Sequence, residues 1–452
     1  MSLTWKRFCT FAAVVVLVAA VATTAASART HKKGGAAAKS ASTLNIMGFG
    51  TNGDDIAMTR FHIAEQAIAP DQVSAPNGGF NDQQFLAAVA SGNAPDLVYM
   101  DRAKVGTYAA DGALQPLTSC IKSQHIATKQ FRPAALSQIT YKGQVYGIPE
   151  FFDVRTIITD YDVLKSSGVS LKQMNTAKPA TLRKAALKMY QHNGSQVTRI
   201  GFDPKLPEFF PLWAKVYGVD ILSKNGLTPH LNDPRAIKAL TYAYGLIKAQ
   251  GGYNAFISFR NTWDFFGAGN QVAKDQVGGW PMEDWYVNVL GGTSPQVHTL
   301  LVPMRDLRGD VINYTSGSAW AIPKGSKNAA DACKWAKTMT ATATWIAAAK
   351  NRIELRKAKD RFFTGLRTAN IVADRAIFKL YKGTNQWFNQ NVRTLNGVMP
   401  YSFSIPASPA SGEFQTAWMN AVTRVLQGQQ SPSQALNQAQ KEAVKAIKAA
   451  KH

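Results

Sequence analysis

An acidic and a basic side chain, Asp101 and Arg102, directly follow the short apolar run "LVYM" at 97–100. That run comes shortly after Pro95 and predicts a strand covered on both faces, with helical stretches before and after it. This order of elements favours an α/β layer with a mostly parallel sheet. Because ligands bind outside the carboxyl ends of strands in such sheets, spacing alone makes Asp101 and Arg102 candidate ligand contacts. Asp101 could instead cap the following helix.

A second group of chemically useful residues lies in "VGGWPMEDWY" at 277–286, where Trp280 and Trp285 flank Glu283 and Asp284. Flat aromatic faces pack against the C–H side of a sugar ring, and carboxylates bind its hydroxyl groups. We favour Trp280 as a stacking residue because the two glycines before it leave open space. The alternatives are core positions for the tryptophans and a solvated face for the two acids.

The sequence offers little for covalent or metal chemistry. It has no Gly-x-Ser-x-Gly nucleophile elbow, and its seven histidines are scattered rather than grouped with Cys or Asp. We therefore expect no catalytic residue, no metal site and no cofactor. Asp153 with Glu283 is the conceivable carboxylate pair for glycoside hydrolysis, although sequence spacing does not establish their separation.

Local signals mark the elements that position these residues. Asn81 and Gln84 predict the start of a helix and Gly92 predicts its end, shortly before the strand at 97–100. A glycine-rich loop at 48–53 follows a first predicted strand. It lacks the Lys-Ser/Thr ending of a phosphate loop, so we do not expect it to bind a nucleotide.

The N-terminal residues carry the features of a secretion signal. Lys6 and Arg7 precede an apolar run at 8–22, and "ASA" at 26–28 supplies small residues for cleavage. The run is shorter than the roughly 20 residues that cross a bilayer. We expect a signal peptide at 1–28 and a secreted protein in the periplasm or at the cell envelope.

The formal net charge of the chain is +23, and a flexible basic leader is expected at 29–42. So high a charge attracts anionic polymers. Nucleic-acid binding is disfavoured because the chain has a secretion signal and no finger, basic zipper or aromatic RNA-binding motif. After cleavage only Cys120 and Cys333 remain, and they could pair in an oxidising compartment or stay as two buried thiols.

Five segments resemble, in order, the extracellular solute-binding proteins of ABC importers, the family that includes maltose-binding protein. The match is strongest at 85–117, with a helix, Gly-x-x-Pro-Asp, an apolar strand, a second helix and Gly-x-Leu-x-Pro-Leu. The other four segments begin with "YKGQVYGIP", "VGGWPMEDWY", "GSAWAIPKGSKNAADACKWAKTM" and "VLQGQQSPSQALNQAQKEAVKAI".

The resemblance implies an α/β, two-lobe periplasmic-binding-protein fold, type II-like, with a hinge and an interlobe cleft. It also implies residue ranges for the two lobes: 43–152 plus 306–348 for the first, and 156–302 plus 350–450 for the second. Hinges are expected near 152–155, near 302–305 and after Trp345.

The family contacts its ligand from loops at the ends of strands, from the first crossover and from the aromatic-bearing segment. Carried over to this chain, the implied ligand-binding residues are Asn52, Met100, Asp101, Arg102, Asp153, Arg155, Trp280, Glu283, Trp285, Tyr314, Ser316 and Gly317. Met100 stands where maltose-binding protein has a stacking aromatic residue, so the resemblance does not imply a maltodextrin ligand. The alternative for Asp153 and Arg155 is a salt bridge between lobes.

The resemblance implies a receptor that binds a sugar or oligosaccharide in the cleft. Hinge closure would trap the ligand, and the receptor would deliver it to the membrane permease of an ABC transporter. We expect a monomer without enzyme activity. The alternatives are a receptor for another small polar or anionic solute, and a secreted glycoside hydrolase.

Overall fold

The computed structural model describes residues 43–68, 72–76, 78–383 and 385–450. The predicted signal peptide at 1–28 and the predicted leader at 29–42 lie outside these residues. The described strands are β1 (Leu44–Met47), β2 (Val73–Ser74), β3 (Leu97–Asp101), β4 (Thr140–Tyr141), β5 (Gln144–Val145), β6 (Ile148–Pro149), β7 (Arg155–Asp160), β8 (Gln191–Asn193), β9 (Gln196–Arg199), β10 (Gly279–Glu283), β11 (Thr299–Val302), β12 (Met304–Arg305), β13 (Val311–Tyr314), β14 (Ser318–Ala321) and β15 (Ser402–Phe403).

The described α-helices are α1 (Asp55–Ile68), α2 (Asp82–Ala90), α3 (Arg102–Ala110), α4 (Thr118–Ser123), α5 (Pro133–Ile139), α6 (Tyr161–Ser166), α7 (Pro179–Met189), α8 (Phe210–Val216), α9 (Pro234–Lys248), α10 (Gly252–Arg260), α11 (Trp285–Thr293), α12 (Ala329–Thr340), α13 (Thr342–Lys357), α14 (Ile371–Leu380), α15 (Gln386–Val398), α16 (Ser411–Leu426) and α17 (Pro432–Ala449). In this part of the chain, no helix has both the length and the apolar character that a membrane span requires.

The helix predicted after Asn81 is confirmed as α2. The Asn81 side chain accepts a hydrogen bond from the Gln84 N–H at 2.9 Å, which satisfies one of the free donors at the helix start. Gly92 follows the helix with a φ of +74°, a conformation that glycine adopts without steric cost. The strand predicted at 97–100 is also confirmed, as β3.

The first sheet has the strand order β2-β1-β3-β14-β6. β1, β2 and β3 are parallel, whereas β14 runs antiparallel to β3, with Ser318 opposite Asp101. The loop after β1, the end of β3 and the start of β14 therefore meet at one edge of this sheet. The predicted α/β class and the predicted parallel pairing of the first strands are confirmed.

The second sheet has the order β10-β7-β11 and is antiparallel throughout. Glu283, the last residue of β10, lies directly opposite Arg155, the first residue of β7. The chain passes from the first sheet to the second through 150–154 and returns to the first sheet through 315–317. The hinge expected near 302–305 stays a prediction, and it falls at Pro303, between the end of β11 and the start of β12.

Helices α13 and α14 pack beside α1, which follows the first strand of the first sheet. Ile56, Trp345, Ala349 and Ala373 belong to one buried apolar cluster that joins the three helices. Part of the range 350–450, expected in the second lobe, therefore packs against a first-sheet helix.

A disulfide joins Cys120 of α4 to Cys333 of α12, with Cα atoms 5.7 Å apart. Of the two alternatives for these cysteines, the structure has the paired one. The bond links two parts of the chain that are 213 residues apart in the sequence. Such a cross-link restricts the unfolded chain and thereby stabilises the fold.

Candidate ligand-binding cleft between the two sheets

Four side chains form a continuous hydrogen-bonded chain where the polypeptide crosses between the sheets. Arg155 Nη2 donates to Glu283 Oε1 at 3.0 Å and to Ser316 Oγ at 2.8 Å. The Ser316 hydroxyl in turn donates to Asp153 Oδ2 at 2.8 Å. We call Glu283, Arg155, Ser316 and Asp153 the crossover chain. It connects the second sheet to both crossing segments.

Arg155 is held on several sides. Its backbone N–H donates to the Asn313 side chain at 2.8 Å, and its Nη1 donates to the Tyr314 carbonyl at 3.0 Å. The guanidinium also lies 4.7 Å from the Tyr314 ring centroid and 4.9 Å from that of Phe209. Burial raises the pKa of Tyr314 to about 12, so its hydroxyl stays protonated at neutral pH.

A cavity of about 400 Å³ lies on the Asp153 side of the crossover chain, and we call it the Asp153 cavity. Its volume falls within the roughly 300–1,000 Å³ typical of small-molecule sites. The first-sheet region contributes the loop after β1 (49–54), residues of α1 and Tyr99. The second-sheet region contributes Asp284, Trp285 and the next turn of α11. The cavity thus lies between elements of both sheets.

The Asp153 cavity is lined by both signs of charge. Its carboxylates are Asp54, Asp153 and Asp284, and its guanidinium groups are Arg60, Arg352 and Arg367. Two of the arginines are well paired: Arg60 lies 2.8 Å from Glu150, and Arg352 lies 2.6 Å from Asp54. Arg60 Nη2 is buried and has no hydrogen-bond partner among the described residues.

Asp284 occupies the junction between the cavity and the crossing segment. Its Oδ1 accepts the Val154 N–H at 2.8 Å, and its Oδ2 lies 3.4 Å from Arg367 Nη1. Burial raises the pKa of this carboxyl to about 7, although Arg367 opposes the shift. Asp284 therefore changes its charge near neutral pH.

A second cavity, of about 180 Å³, lies on the Glu283 side of the crossover chain, and we call it the Glu283 cavity. Asp101, Glu208 and Glu283 supply its carboxylates. Its aromatic residues are Phe209, Tyr314, Phe414 and Trp418. The last two lie four residues apart on α16, which places them on one face of that helix.

No site for a metal ion is evident in this part of the molecule. Within the described ranges, no group of three or more His, Cys, Asp or Glu side chains is placed to hold one.

The comparison with known proteins fits this architecture. The sequence model of the bacterial extracellular solute-binding protein family matches residues 68–344, which is more than half of the chain. The chain belongs to this family. The resemblance read from the five sequence segments is thereby confirmed.

Solved structures with the same fold include several receptors of sugars. CpMnBP1 with mannotriose bound shares 24% identity and a TM-score of 0.72, over 89% of this chain and 99% of that chain. An ABC substrate-binding protein from Listeria monocytogenes in complex with cycloalternan shares 19% identity and a TM-score of 0.71, over 90% and 99%. The maltose/maltodextrin-binding domain MalE from Bdellovibrio bacteriovorus, bound to maltotriose, shares 18% identity and a TM-score of 0.66, over 89% and 98%. The predicted two-lobe fold is confirmed.

Most of the residues predicted as ligand contacts in this solute-binding protein line one of the two cavities. Asn52, Asp153 and Trp285 line the Asp153 cavity. Asp101, Arg155, Glu283, Tyr314 and Ser316 line the Glu283 cavity. Asp101 also caps α3, since its side chain accepts the Ala103 N–H at 3.1 Å. Asp101 therefore both caps α3 and lines the Glu283 cavity.

Two predicted contacts lie in the core instead. Trp280 is 0% exposed, and its ring packs near Trp263 and Tyr286 in the second-sheet region. The space beside the preceding glycines is filled by Met189 and Met174, so it does not open onto a cavity. Met100 is 1% exposed and belongs to the core cluster on the first sheet. We do not retain either residue as a ligand contact.

The other two predicted contacts, Arg102 and Gly317, pack against the segments that cross between the sheets. Arg102 is fully buried and donates to the Phe151 and Ser316 carbonyls and to Gln138 Oε1, the last at 3.0 Å. Burial lowers the pKa of Arg102 to about 10, which still leaves it charged at neutral pH. Gly317 has a φ of +139°, and a Cβ there would collide with the Phe151 carbonyl oxygen. Both residues hold the crossing segments together and line neither cavity.

Sequence reasoning missed the residues that reach the cavities from distant parts of the chain. In the Asp153 cavity these include Arg60, Arg352 and Arg367, and in the Glu283 cavity they include Phe414 and Trp418. The helical spacing of Phe414 and Trp418 indicates a buried face, and both are indeed almost fully buried. No local signal distinguishes such residues from ordinary core positions.

Proposed function

We propose that this protein is a receptor for a sugar or oligosaccharide, which it binds between two lobes and delivers to the membrane permease of an ABC transporter. Hinge closure follows from ligand contacts on both sides of the cleft, because a ligand that touches both favours the closed state. The observation that carries the proposal is the Asp153 cavity, whose walls come from both sheets.

The lining of the Asp153 cavity suits a polyhydroxylated ligand. Trp285, Tyr99 and Phe151 supply aromatic faces for the C–H side of a sugar ring. The carboxylates of the cavity accept hydrogen bonds from hydroxyl groups, and its guanidinium groups donate them. Since an unpaired buried hydroxyl costs free energy, such closely placed partners favour saccharides over apolar ligands.

The solved structures similar to this chain give independent support for the ligand class. They carry mannotriose, cycloalternan and maltotriose. These sugars differ in linkage and size, so they support a saccharide without selecting one.

The proposed lobes follow the ranges predicted from the sequence, with one change. The lobes are 43–152 plus 306–348 and 156–302 plus 350–450, except that the packing of α13 and α14 beside α1 supports moving 350–380 to the first lobe. The protein acts as a secreted monomer in the periplasm or at the cell envelope.

No bond is made or broken in this mechanism. Asp153 and Glu283, the conceivable hydrolase pair, line different cavities and are separated by Arg155 and Ser316. A substrate in either cavity would meet one of them, whereas glycoside hydrolysis needs both.

The second candidate is a receptor for a small anionic solute. It is favoured by the three guanidinium groups in the Asp153 cavity. A carboxylate or phosphate group would pair well with such donors.

Thermal unfolding with a panel of ligands separates the two candidates. At about 100 times its dissociation constant, the true ligand adds roughly 2.7 kcal/mol to the free energy of unfolding. The proposal expects this shift with at least one saccharide of the manno- or malto-series. A shift with organic anions and with no saccharide would replace it with the second candidate.

A further inference from the structure

An aromatic surface continues from the Asp153 cavity out to solvent. Trp285 lines the cavity and is 37% exposed. Phe266 lies beside it and is 64% exposed, although it lines neither cavity. The two rings are stacked, with centroids 6.0 Å apart and an angle of 16° between their planes. An exposed ring outside the cavity therefore lies directly beside a ring of the cavity wall.

The Phe266–Trp285 pair rests on a rigid support. Phe265 packs against Tyr286 with centroids 4.5 Å apart, and it lies 5.1 Å from Phe266 and 6.1 Å from Trp285. Tyr286 is fully buried, and its hydroxyl oxygen accepts a hydrogen bond from Gln271 Nε2 at 2.7 Å. The exposed rings are thus fixed by a buried layer, which fits a preformed contact surface.

The exposed ring of Phe266 offers apolar surface to a ligand. Burial of such a side chain is favourable, and the fold does not use this gain at Phe266. Exposed aromatic surface that is continuous with a cavity is typical of a binding groove. Its flat shape suits the C–H face of a sugar ring.

We propose that Phe266 and Trp285 form an outer platform for an oligosaccharide, which stacks a sugar unit that projects from the mouth of the Asp153 cavity. This inference rests on the proposed function and extends it. The expected ligand is therefore an oligosaccharide that is too long to fit inside the cavity. A single sugar bound inside the cavity would make no contact with Phe266.

The platform predicts that affinity depends on chain length. Isothermal titration would use mannobiose to mannohexaose and maltose to maltohexaose, with the wild type and Phe266→Ala. In the wild type, affinity rises once the chain is long enough to reach the platform. In Phe266→Ala this rise is lost, roughly tenfold for the longest sugars, whereas the affinity for the disaccharide stays within about twofold.

Phe378→Ala is the matched control. Phe378 is 48% exposed and stacks on Tyr381, with an angle of 4° between the planes, but it lines neither cavity. It should leave every affinity unchanged. The platform is overturned if Phe266→Ala keeps the length dependence of the wild type, or weakens all lengths equally. If the wild type binds no saccharide of either series, the proposed function fails and the platform fails with it.

Discussion

The Ser316 hydroxyl donates a hydrogen bond to Asp153 Oδ2 at 2.8 Å, which ties together the two segments that cross between the sheets. Asp153 lies on the outgoing segment and Ser316 on the returning one. Arg155 and Glu283 extend this contact into the second sheet. A ligand in the Asp153 cavity therefore touches the same side chain that joins the crossing segments.

Replacing Asp153 by asparagine should weaken saccharide binding without unfolding the protein. The amide keeps the shape of the side chain and still accepts the Ser316 hydrogen bond, but it loses the charge that strengthens a bond to a ligand hydroxyl. We expect a loss of roughly 1.4 kcal/mol, or tenfold, in titration calorimetry.

Asp162→Asn is the control for that change, since Asp162 is an exposed acid beside His298 and lines neither cavity. It removes the same charge and should leave the affinity unchanged. Equal affinities in the wild type and in folded Asp153→Asn would remove Asp153 from the site.

The two tryptophans of "VGGWPMEDWY" should behave in opposite ways. Trp280→Ala removes a fully buried ring and should lower the free energy of unfolding by about 3–5 kcal/mol. Trp285→Ala removes a partly exposed ring from the cavity wall and should weaken saccharide binding roughly tenfold with little loss of stability. Denaturant unfolding and calorimetry on each variant distinguish the two effects.

Trp387→Ala supplies the comparison, because Trp387 is half-buried against Tyr161 and His298 and lines neither cavity. Its affinity should match that of the wild type. A loss of binding in Trp280→Ala with unchanged stability would instead return Trp280 to the cleft.

The two tryptophans show which features the local sequence predicts and which it does not. The helix cap at Asn81 and the strand at 97–100 follow from local patterns, and the structure has both where they are predicted. The positions beside the crossover follow from the family resemblance. Whether Trp280 faces the cavity depends on the register of β10 and on which side of the sheet is covered, whereas Trp285 lies beyond the strand, at the start of α11. A one-residue change of register reverses every side chain of a strand, so local sequence does not decide it.

Local sequence also does not predict which residues from distant segments line the cavities. Arg60, Arg352 and Arg367 converge on one cavity although nearly 300 residues separate the first two along the chain. Each has an ordinary helical or loop context, and only the packing of α13 beside α1 brings two of them together.

Asp284 should make stability depend on pH in a defined range. Its pKa is about 7 in the folded protein and about 3.9 in an unfolded chain. The folded state therefore holds the proton more tightly, and this contribution to stability is fully present below about pH 4 and falls as the pH rises to about 7.

Asp284→Asn removes this titration. The difference in unfolding free energy between the wild type and the variant should change by about 1.4 kcal/mol per pH unit across that range and then level off. Burial also raises the pKa of Asp160 to about 7, but Asp160 is present in both proteins and cancels in the difference. Urea unfolding of both proteins from pH 4 to 8 measures this difference in unfolding free energy. A difference that stays constant with pH would contradict the expectation.

The disulfide should support the fold and not the site. Cys120→Ser with Cys333→Ser should lower the free energy of unfolding by about 3 kcal/mol, because the unfolded chain regains the freedom that the cross-link removes. Neither cysteine lines a cavity, so saccharide affinity should stay unchanged. Reduction of the wild type should reproduce the destabilisation, and an unaffected midpoint in denaturant would argue against a bond between them.

We expect a saccharide to bind between the two sheets. A crystal structure of the protein grown with mannotriose or maltotriose, whichever stabilises it more, tests this most directly. We predict electron density for the sugar in the Asp153 cavity, with a hydroxyl group bonded to Asp153 and a ring face against Trp285. An empty cavity at saturating saccharide, or a sugar bound only outside the cleft, would contradict the claim.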